Sequence, residues 1–411
     1  MKIRSITSFY DPGTLKADYT LEVLSTLAKE CKQTCIANGY EVQTLRLATI
    51  PFSLIKPDEN ADQLITLTKA METKAKINGF DYLSLGPALI GHPESYDVIP
   101  DLLSETDITF FSGAIADQRT GVSVKAIQQC AKIISLNAEL EENGFANLRF
   151  SALANVKPFG PFFPGSYHQP GQPPAISIAI EGADEVLHAF SNAKNLSEAR
   201  KILLENLEHH ANQLGLIFSE LLADQKVVFQ GFDFSVAPFP EDNCSLGVAM
   251  ESLGVSSLGK HGSLAAAAFL TDTLDRGNWA RSGFNGLMLP LLEDSRLSQR
   301  SIDQTLTIKD LLMYSAVCGT GLDTIPIPGS TSREQIEALL LDIAALSSRL
   351  KKPLTARLMP IPGKEAGDLT NFEFEFFSNG RVLAIDANAL SGFFNNINEE
   401  FTLRPRQVES I

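Results

Sequence analysis

A cysteine with an acid close behind it stands late in the chain, in SAVCGTGLDTIPIPGST at residues 315–331. A cysteine can act as a nucleophile or as an acid–base group, and the carboxylate of Asp323 follows Cys318 after five residues. Cys318 ends a predicted helix, however, where the helix dipole opposes thiolate formation. The stretch is therefore typical of a nucleophile, of a radical-carrying thiol, or of a tight turn formed at its prolines.

Two pairs of polar residues follow predicted apolar strands. Asp233 and Ser235 share one face of a strand in GFDFSVAPFPED, where they could bind a cation or a substrate amine. Glu293 and Asp294 follow the apolar run GLMLPLL and could supply a metal ligand or a general base. The alternatives are that Asp233 accepts hydrogen bonds from nearby amides and that the second pair caps the next helix.

A predicted helix start in GKHGSLAAAAFLTD, residues 259–272, could bind an anion. Ser263 is the predicted N-cap, and the free N–H groups at such a start suit a negative charge beside Lys260 and His261. His261 is also a candidate acid–base group, because its ordinary pKa lies near neutrality.

The segment 157–175, KPFGPFFPGSYHQPGQPPA, consists mainly of proline, glycine and aromatic residues. A loop this long within a compact chain is usually a lid or a binding loop, which would bring His168 to the substrate. A covering segment or an oligomer contact is the alternative. The cations expected to hold a substrate carboxylate are Arg46, Arg149 and Lys260.

These residues lie on predicted strands and helices that alternate along the chain. Strands are predicted in 2–10, 40–52, 80–89 and 108–117, with helices between them, and the alternation resumes at residue 226. Alternation of this kind predicts a parallel α/β architecture with the site in the loops after the strands. A pair of amphipathic helices is predicted in 183–223. No compositional break divides the chain, so a single domain over 1–411 is expected.

The composition excludes several classes of protein. The formal net charge is −15, which opposes binding to nucleic acid and to anionic membrane surfaces. The five cysteines indicate no disulfide framework, and the first residues lack the apolar core of a signal peptide, so a cytoplasmic location is expected. Neither a phosphate-binding loop nor a complete dinucleotide fingerprint is present, and the sequence identifies no cofactor and no metal.

Nine segments together resemble domain-of-unknown-function family 711, whose members are also labelled PFL-like proteins. They are MKIRSIT, VQTLRLATIPF, GFANLRFSALANV, PFFPGSYH, DFSVAPFP, HGSLAAAAFLTDTLD, GLMLPLLEDS, YSAVCGTGLDTIPIPG and KPLTARLMPIPGK. The resemblance implies a fold similar to pyruvate formate-lyase, namely a single α/β barrel of about ten strands built from two half-barrels. It carries over no assigned reaction.

The resemblance also raises the question of a glycyl radical. Enzymes of that class carry a C-terminal motif like R-V-x-G-Y, and this chain has RVLAI at residues 381–385. Ala384 stands where the radical glycine would be, and Ile385 replaces the tyrosine. The sequence therefore indicates that no glycyl radical forms here.

The first hypothesis is a non-radical enzyme that acts on a small polar, carboxylate-bearing metabolite in a barrel cavity. Its expected catalytic residues are Cys318, Asp323 and His261. Its expected substrate-binding residues are Asp233, Ser235, Ser263, Glu293, Asp294, Arg149 and His168. The alternative is a small-molecule sensor that retains the barrel without catalysis, and a radical enzyme with an unusual site is a third reading. A homo-oligomer is expected in each case.

Overall fold

The computed structural model describes residues 1–55, 60–317 and 320–405 of the 411-residue chain. Within these ranges the chain forms eleven strands and thirteen α-helices. The strands are Lys2–Tyr10 (β1), Val42–Thr49 (β2), Tyr82–Ala88 (β3), Thr109–Asp117 (β4), Gly121–Ser123 (β5), Phe150–Ala154 (β6), Ala175–Glu181 (β7), Val228–Ala237 (β8), Gly321–Pro328 (β9), Leu354–Ile361 (β10) and Glu400–Phe401 (β11).

The helices surround the sheet formed by these strands. They are Ala17–Ala37 (α1), Phe52–Ile55 (α2), Ala61–Ile77 (α3), Glu94–Asp97 (α4), Ile99–Ser104 (α5), Val124–Asn137 (α6), Ala183–Asn192 (α7), Leu196–Leu222 (α8), Leu246–Ser252 (α9), Ser263–Asp275 (α10), Ser295–Ile302 (α11), Ile308–Val317 (α12) and Arg333–Leu350 (α13). None of the helices in the described ranges has the length and apolar character needed to span a membrane.

One mixed sheet contains all the strands, in the order β8-β7-β1-β2-β3-β4-β6-β10-β9. Outside this order, β5 pairs with β4, and β11 pairs with β5. Five strands, β1, β2, β3, β4 and β6, run parallel to one another. The pairs β7–β8 and β9–β10 are each parallel internally but antiparallel to the five-stranded block. The prediction of a parallel architecture therefore holds within each block and not across the whole sheet.

The two edge strands, β8 and β9, form no ladder with each other, and the segment 280–293 lies between them. This segment exchanges backbone hydrogen bonds with Phe232 of β8 at 2.8 and 2.9 Å, and Pro290 bridges Asp323 of β9. What the structure establishes is a mixed α/β fold with one large sheet. The predicted closed barrel of two half-barrels stays a prediction.

The two faces of the sheet have different chemistry. On β7, Ile176, Ile178 and Ile180 belong to the large core that packs beneath the helices. The opposite face carries hydroxyl groups, and Ser5 and Thr7 donate to the carbonyl oxygen of Pro161 at 3.3 and 3.1 Å. The segment 157–175 is thus held against the inner face of the sheet, opposite the helices.

Two elements differ from their predictions. The residues 321–328, expected as a turn, form β9, and its two prolines are tolerated because β9 is an edge strand that pairs through a ladder only with β10. The run RVLAIDAN at residues 381–388 has the sequence pattern that predicts a late strand, but it forms no ladder apart from an isolated bridge between Leu369 and Arg381.

Candidate functional site

A cavity opens on the face of the sheet opposite the helices, where side chains from the five-stranded block, β9 and β10 converge. It holds about 660 Å³ of open space, including its mouth. We call it the Arg46 cavity, and its walls are Arg4, Gln43, Thr44, Arg46, Tyr82, Phe110, Leu148, Phe162, Phe163, Met288, Glu293, Asp323, Arg357, Phe374 and Phe376.

Because side chains alternate between the two faces of a strand, the polar residues of β2 point into the cavity. On β2, Leu45 and Leu47 belong to the core beneath the helices, so Thr44 and Arg46 face the opposite way, into the cavity. Arg46 is the register partner of Tyr82 on β3, which explains why the phenol ring lies beside the guanidinium.

Five charged side chains of alternating sign form a chain across the interior. Arg4 donates to Glu181 at 2.9 Å and to Glu293. Arg357 donates to the other oxygen of Glu293 at 2.9 Å and to Oδ1 of Asp323 at 2.5 Å. The chain therefore links β7, β1, the segment before α11, β10 and β9.

Arg46 is the cavity's cation without an acidic partner among the described residues. Its Nε donates to Thr44 Oγ1 at 2.9 Å, and its guanidinium lies 5.5 and 5.2 Å from the ring centres of Tyr82 and Phe163. Burial, followed by the nearby charge of Arg4, lowers the pKa of Arg46 to about 9. The guanidinium thus stays charged at neutral pH, and its two Nη groups are bonded to no described residue.

Asp323 carries the second unusual group in the cavity. Burial raises the pKa of its carboxyl, while the charge and hydrogen bond of Arg357 oppose that rise. Arg357 donates to Oδ1, and the backbone N–H of Thr324 also hydrogen-bonds to this carboxyl. Asp323 is therefore a positioned carboxyl in the cavity wall.

The mouth of the cavity is covered by the loop 370–380. Thr370 and Gly380 close its base with a backbone hydrogen bond of 2.9 Å, and the Asn379 side chain bonds to both backbone groups of Phe372 at 2.8 and 3.1 Å. From this loop Phe374 and Phe376 project into the cavity wall. The loop thus supplies aromatic surface at the entrance.

Of the residues expected at the site, Glu293, Asp323 and Arg46 lie together in the Arg46 cavity. Their roles there stay predictions. Cys318 lies outside the described residues. Ala384 is exposed and is absent from the cavity wall.

Asp233 and Ser235 bind the protein's own backbone. Asp233 accepts from the N–H groups of Phe284 and Asn285 at 2.6 and 2.9 Å, and from the Ser235 hydroxyl at 2.5 Å. Burial raises the pKa of Asp233 to about 6, against these hydrogen bonds. The pair fixes the segment 280–293 to β8, which matches the structural alternative of the sequence interpretation.

Asp294 caps α11, as in the alternative interpretation of the sequence, in which Glu293 and Asp294 cap the next helix. Its Oδ1 accepts from the N–H groups of Arg296 and Leu297 at 2.9 and 3.1 Å and from the Ser245 hydroxyl at 2.6 Å. Asp294 therefore ties two helix starts together, and it does not line the cavity that its neighbour Glu293 enters.

The start of α10 differs from its prediction. The N-cap is Gly262, with φ 103°, and the Ser263 hydroxyl instead donates backwards to the carbonyl oxygen of Lys260 at 2.7 Å. Lys260 and His261 are exposed, and no residue of this turn lines the Arg46 cavity.

Arg149 and His168 lie apart from the cavity. Arg149 donates to the carbonyl oxygens of Leu103 and Thr106 at 3.1 and 2.8 Å and to Glu141 at 2.7 Å, so it joins α5 and the start of β6. His168 is buried, and its Nε2 lies 3.2 Å from the carbonyl oxygen of Gln172. Burial lowers the pKa of His168, which favours the neutral ring.

Sequence reasoning missed Arg4, Arg357 and the aromatic loop 370–380. Arg357 is a lone arginine in the largely apolar strand LTARLMPI, which was the available signal for it. Arg4 lies in β1, KIRSITSFY, among several polar residues, and no such signal marks it. In the described part of the chain, no three histidine, cysteine or acidic side chains cluster as a metal site would require.

Comparison with known proteins places the chain in a family. The family model described as "Uncharacterised ACR (DUF711)" matches residues 1–378. The chain belongs to the DUF711 family. A UPF0210 protein of Methanopyrus kandleri is 30% identical over 387 residues, covering 89% of this chain and 84% of the relative. A UPF0210 protein of Clostridium perfringens is 28% identical, covering 81% and 77%, and one of Ligilactobacillus salivarius is 27% identical, covering 90% and 83%. The family resemblance inferred from the nine segments is confirmed.

Proposed function

We propose that the chain is an enzyme that performs acid–base chemistry, without a protein radical, on a small carboxylate-bearing molecule bound in the Arg46 cavity. Arg46 carries the proposal, because a buried guanidinium with free Nη donors and no acidic partner among the described residues is costly to leave uncompensated. A carboxylate is its natural complement, since it accepts two parallel hydrogen bonds from the guanidinium.

In this proposal Asp323 exchanges a proton with the bound molecule. A carboxyl whose pKa is raised by burial approaches the range in which an acid–base group works best at neutral pH. Arg357 orients Asp323 through Oδ1 and stabilises its ionised form, and the carboxyl lies in the cavity wall, where the ligand would bind. The aromatic walls would exclude water from this exchange.

Cys318 remains a predicted nucleophile. His261 remains a predicted acid–base group, but it is exposed and does not line the Arg46 cavity, so it takes no part in the exchange proposed for Asp323. Replacing Cys318 with serine tests the first role, since an unchanged turnover rate would remove it. The sensor alternative makes the same ligand-binding prediction without turnover.

The finer fold assignment belongs to the same proposal. We infer that the sheet closes into a barrel similar to that of pyruvate formate-lyase, with the segment 280–293 between β8 and β9. The pairs β7–β8 and β9–β10 stand at opposite ends of the sheet and both run antiparallel to the five-stranded block, which supports this. The bonds of the segment 280–293 to both edge strands support it as well. Its test is a crystal structure, in which water-filled space between β8 and β9 would contradict closure. The homo-oligomer and the cytoplasmic location stay predictions.

A thermal-shift screen of metabolites, followed by NMR assays of the hits, tests the function. Carboxylates that raise the melting temperature of wild type should not do so for Arg46→Gln, whereas Arg276→Gln, a change in an exposed arginine away from the cavity, should respond as wild type does. Asp323→Asn should bind the hit but turn it over about 100-fold more slowly. Equal binding by Arg46→Gln, or equal turnover by Asp323→Asn, would contradict the proposal.

A further inference from the structure

The hydrogen-bond donors of the Arg46 cavity limit how many anionic groups it can bind. Both Nη groups of Arg4 are engaged by Glu181 and Glu293. Arg357 uses Nε for Asp323, one Nη for Glu293 and the other for the carbonyl oxygen of Leu148 at 3.4 Å. Arg46 alone among the three arginines keeps both Nη groups unbonded to any described residue. The cavity therefore offers one guanidinium fork, enough for one carboxylate.

No second guanidinium is free on the polar wall. Glu293 and Asp323 both accept hydrogen bonds from Arg357, so the charge of Arg357 is already balanced. The amide nitrogen of Gln43 already donates to Glu181 at 2.7 Å. A dianion would therefore have to place its second charge without a free guanidinium among the described residues.

The remaining walls are suited to an apolar body with flat faces. Tyr82, Phe110 and Phe163 form a run of edge-to-face contacts with ring centres 5.3 and 5.4 Å apart. Phe374 and Phe376 approach from the loop at the mouth. Since Arg46 already lies beside two of these rings, a ligand ring next to its own carboxylate would extend an arrangement that the cavity contains.

From these three observations, and resting on the proposed function, we infer that the ligand is a monoanion: one carboxylate joined to an apolar, aromatic body. The carboxylate binds the Nη groups of Arg46, and the body lies among the rings of Tyr82, Phe110 and Phe163. Dicarboxylates and doubly charged phosphate or phosphonate compounds are disfavoured, because their second charge finds no free guanidinium among the described residues of the wall.

Calorimetric titration of the full-length protein with matched probes tests the inference. The probes are 3-phenylpropanoate, its neutral amide, the dicarboxylate glutarate, and phenylphosphonate at a pH where it is doubly charged. We expect 3-phenylpropanoate to bind at least about 10-fold more tightly than the other three, the size expected for a charge-assisted hydrogen-bonded pair. Arg46→Gln should lose at least about 10-fold of this affinity, Arg46→Lys should lose less, and Arg276→Gln should bind as wild type does.

The outcomes separate this inference from the proposed function. Glutarate or phenylphosphonate could bind more tightly than 3-phenylpropanoate and lose this affinity in Arg46→Gln. That result would overturn the monoanion inference, but the proposal of an anion-binding cavity at Arg46 would stand. If wild type binds 3-phenylpropanoate and its amide equally well, both the monoanion inference and the proposed function are overturned. This comparison uses wild type alone, so it does not depend on whether a variant folds. Failure of 3-phenylpropanoate to bind at 10 mM, about the weakest affinity that calorimetry detects, would overturn the aromatic monoanion itself.

Discussion

At the scale of single residues, Glu293 is the centre of the buried charge chain, because each of its two oxygens meets a different arginine. Removing its charge leaves Arg4 and Arg357 buried beside a neutral amide. We expect Glu293→Gln to lower the free energy of unfolding by about 3 to 5 kcal/mol, the usual size for breaking a buried pair from one side.

The matched control for this variant is Glu105→Gln. Glu105 pairs with Lys69 at 2.6 Å, but both side chains are about half exposed, so its loss should cost less than about 1 kcal/mol. Urea denaturation of both variants makes the comparison. Equal stability of Glu293→Gln and Glu105→Gln would show that the charge chain does not hold the five-stranded block and the two strand pairs together.

The raised pKa of Asp233 predicts that the stability of the protein depends on pH. Its pKa is about 6 in the folded protein because of burial, above the ordinary value of 3.8. Between these values the folded state holds a proton that the unfolded state releases, so the contribution of Asp233 to stability falls as the pH rises from about 4 to about 6. At about 1.4 kcal/mol per pKa unit, the fall is about 3 kcal/mol.

The measurement compares wild type with Asp233→Asn by urea denaturation at several pH values. The stability advantage of wild type should shrink by about 3 kcal/mol across that window, since other titrating groups are common to both proteins. A constant difference from pH 4 to pH 6 would mean that the folded pKa of Asp233 is not raised.

At the scale of elements, the contact between the segment 280–293 and β8 depends on a glycine. Gly283 has φ 78°, and a Cβ there would lie 2.2 Å from Asp233 Oδ2 and 3.0 Å from Pro161. Gly283→Ala should therefore lower the free energy of unfolding by about 2 to 4 kcal/mol, from backbone strain and from the clash together.

Gly171→Ala separates these two causes. Gly171 has a similar φ of 76°, but nothing lies within 4 Å of the position of its Cβ. Its substitution should cost only about 1 kcal/mol, from backbone strain alone. If thermal denaturation gave the two variants the same loss, the tight approach of Gly283 to Asp233 would be disproved.

Most elements could be predicted from the sequence, because periodicity and capping signals are local. The sequence predicts a helix over residues 332–350, and the structure has it at Arg333–Leu350, begun by a capping box between Ser332 and Gln335. The strand β9 could not be predicted in this way, since prolines are ordinarily breakers and their tolerance depends on an edge position set by the whole sheet.

At the scale of the whole molecule, the Arg46 cavity is assembled from residues that the sequence separates widely. Arg4 and Glu293 are 289 positions apart, and Arg357 and Leu148 are 209 apart. Sequence reasoning found Arg46, Glu293 and Asp323 as separate candidates. It had no means of joining them, because the antiparallel junctions between the strand blocks decide which side chains share the interior.

Whether Arg46 anchors a carboxylate inside this cavity can be seen in crystals of the protein soaked with 3-phenylpropanoate. We expect electron density for the probe among Tyr82, Phe110 and Phe163, with its carboxylate within hydrogen-bond distance of both Arg46 Nη groups. Density for the probe elsewhere on the protein, with the Arg46 cavity holding only water, would contradict it.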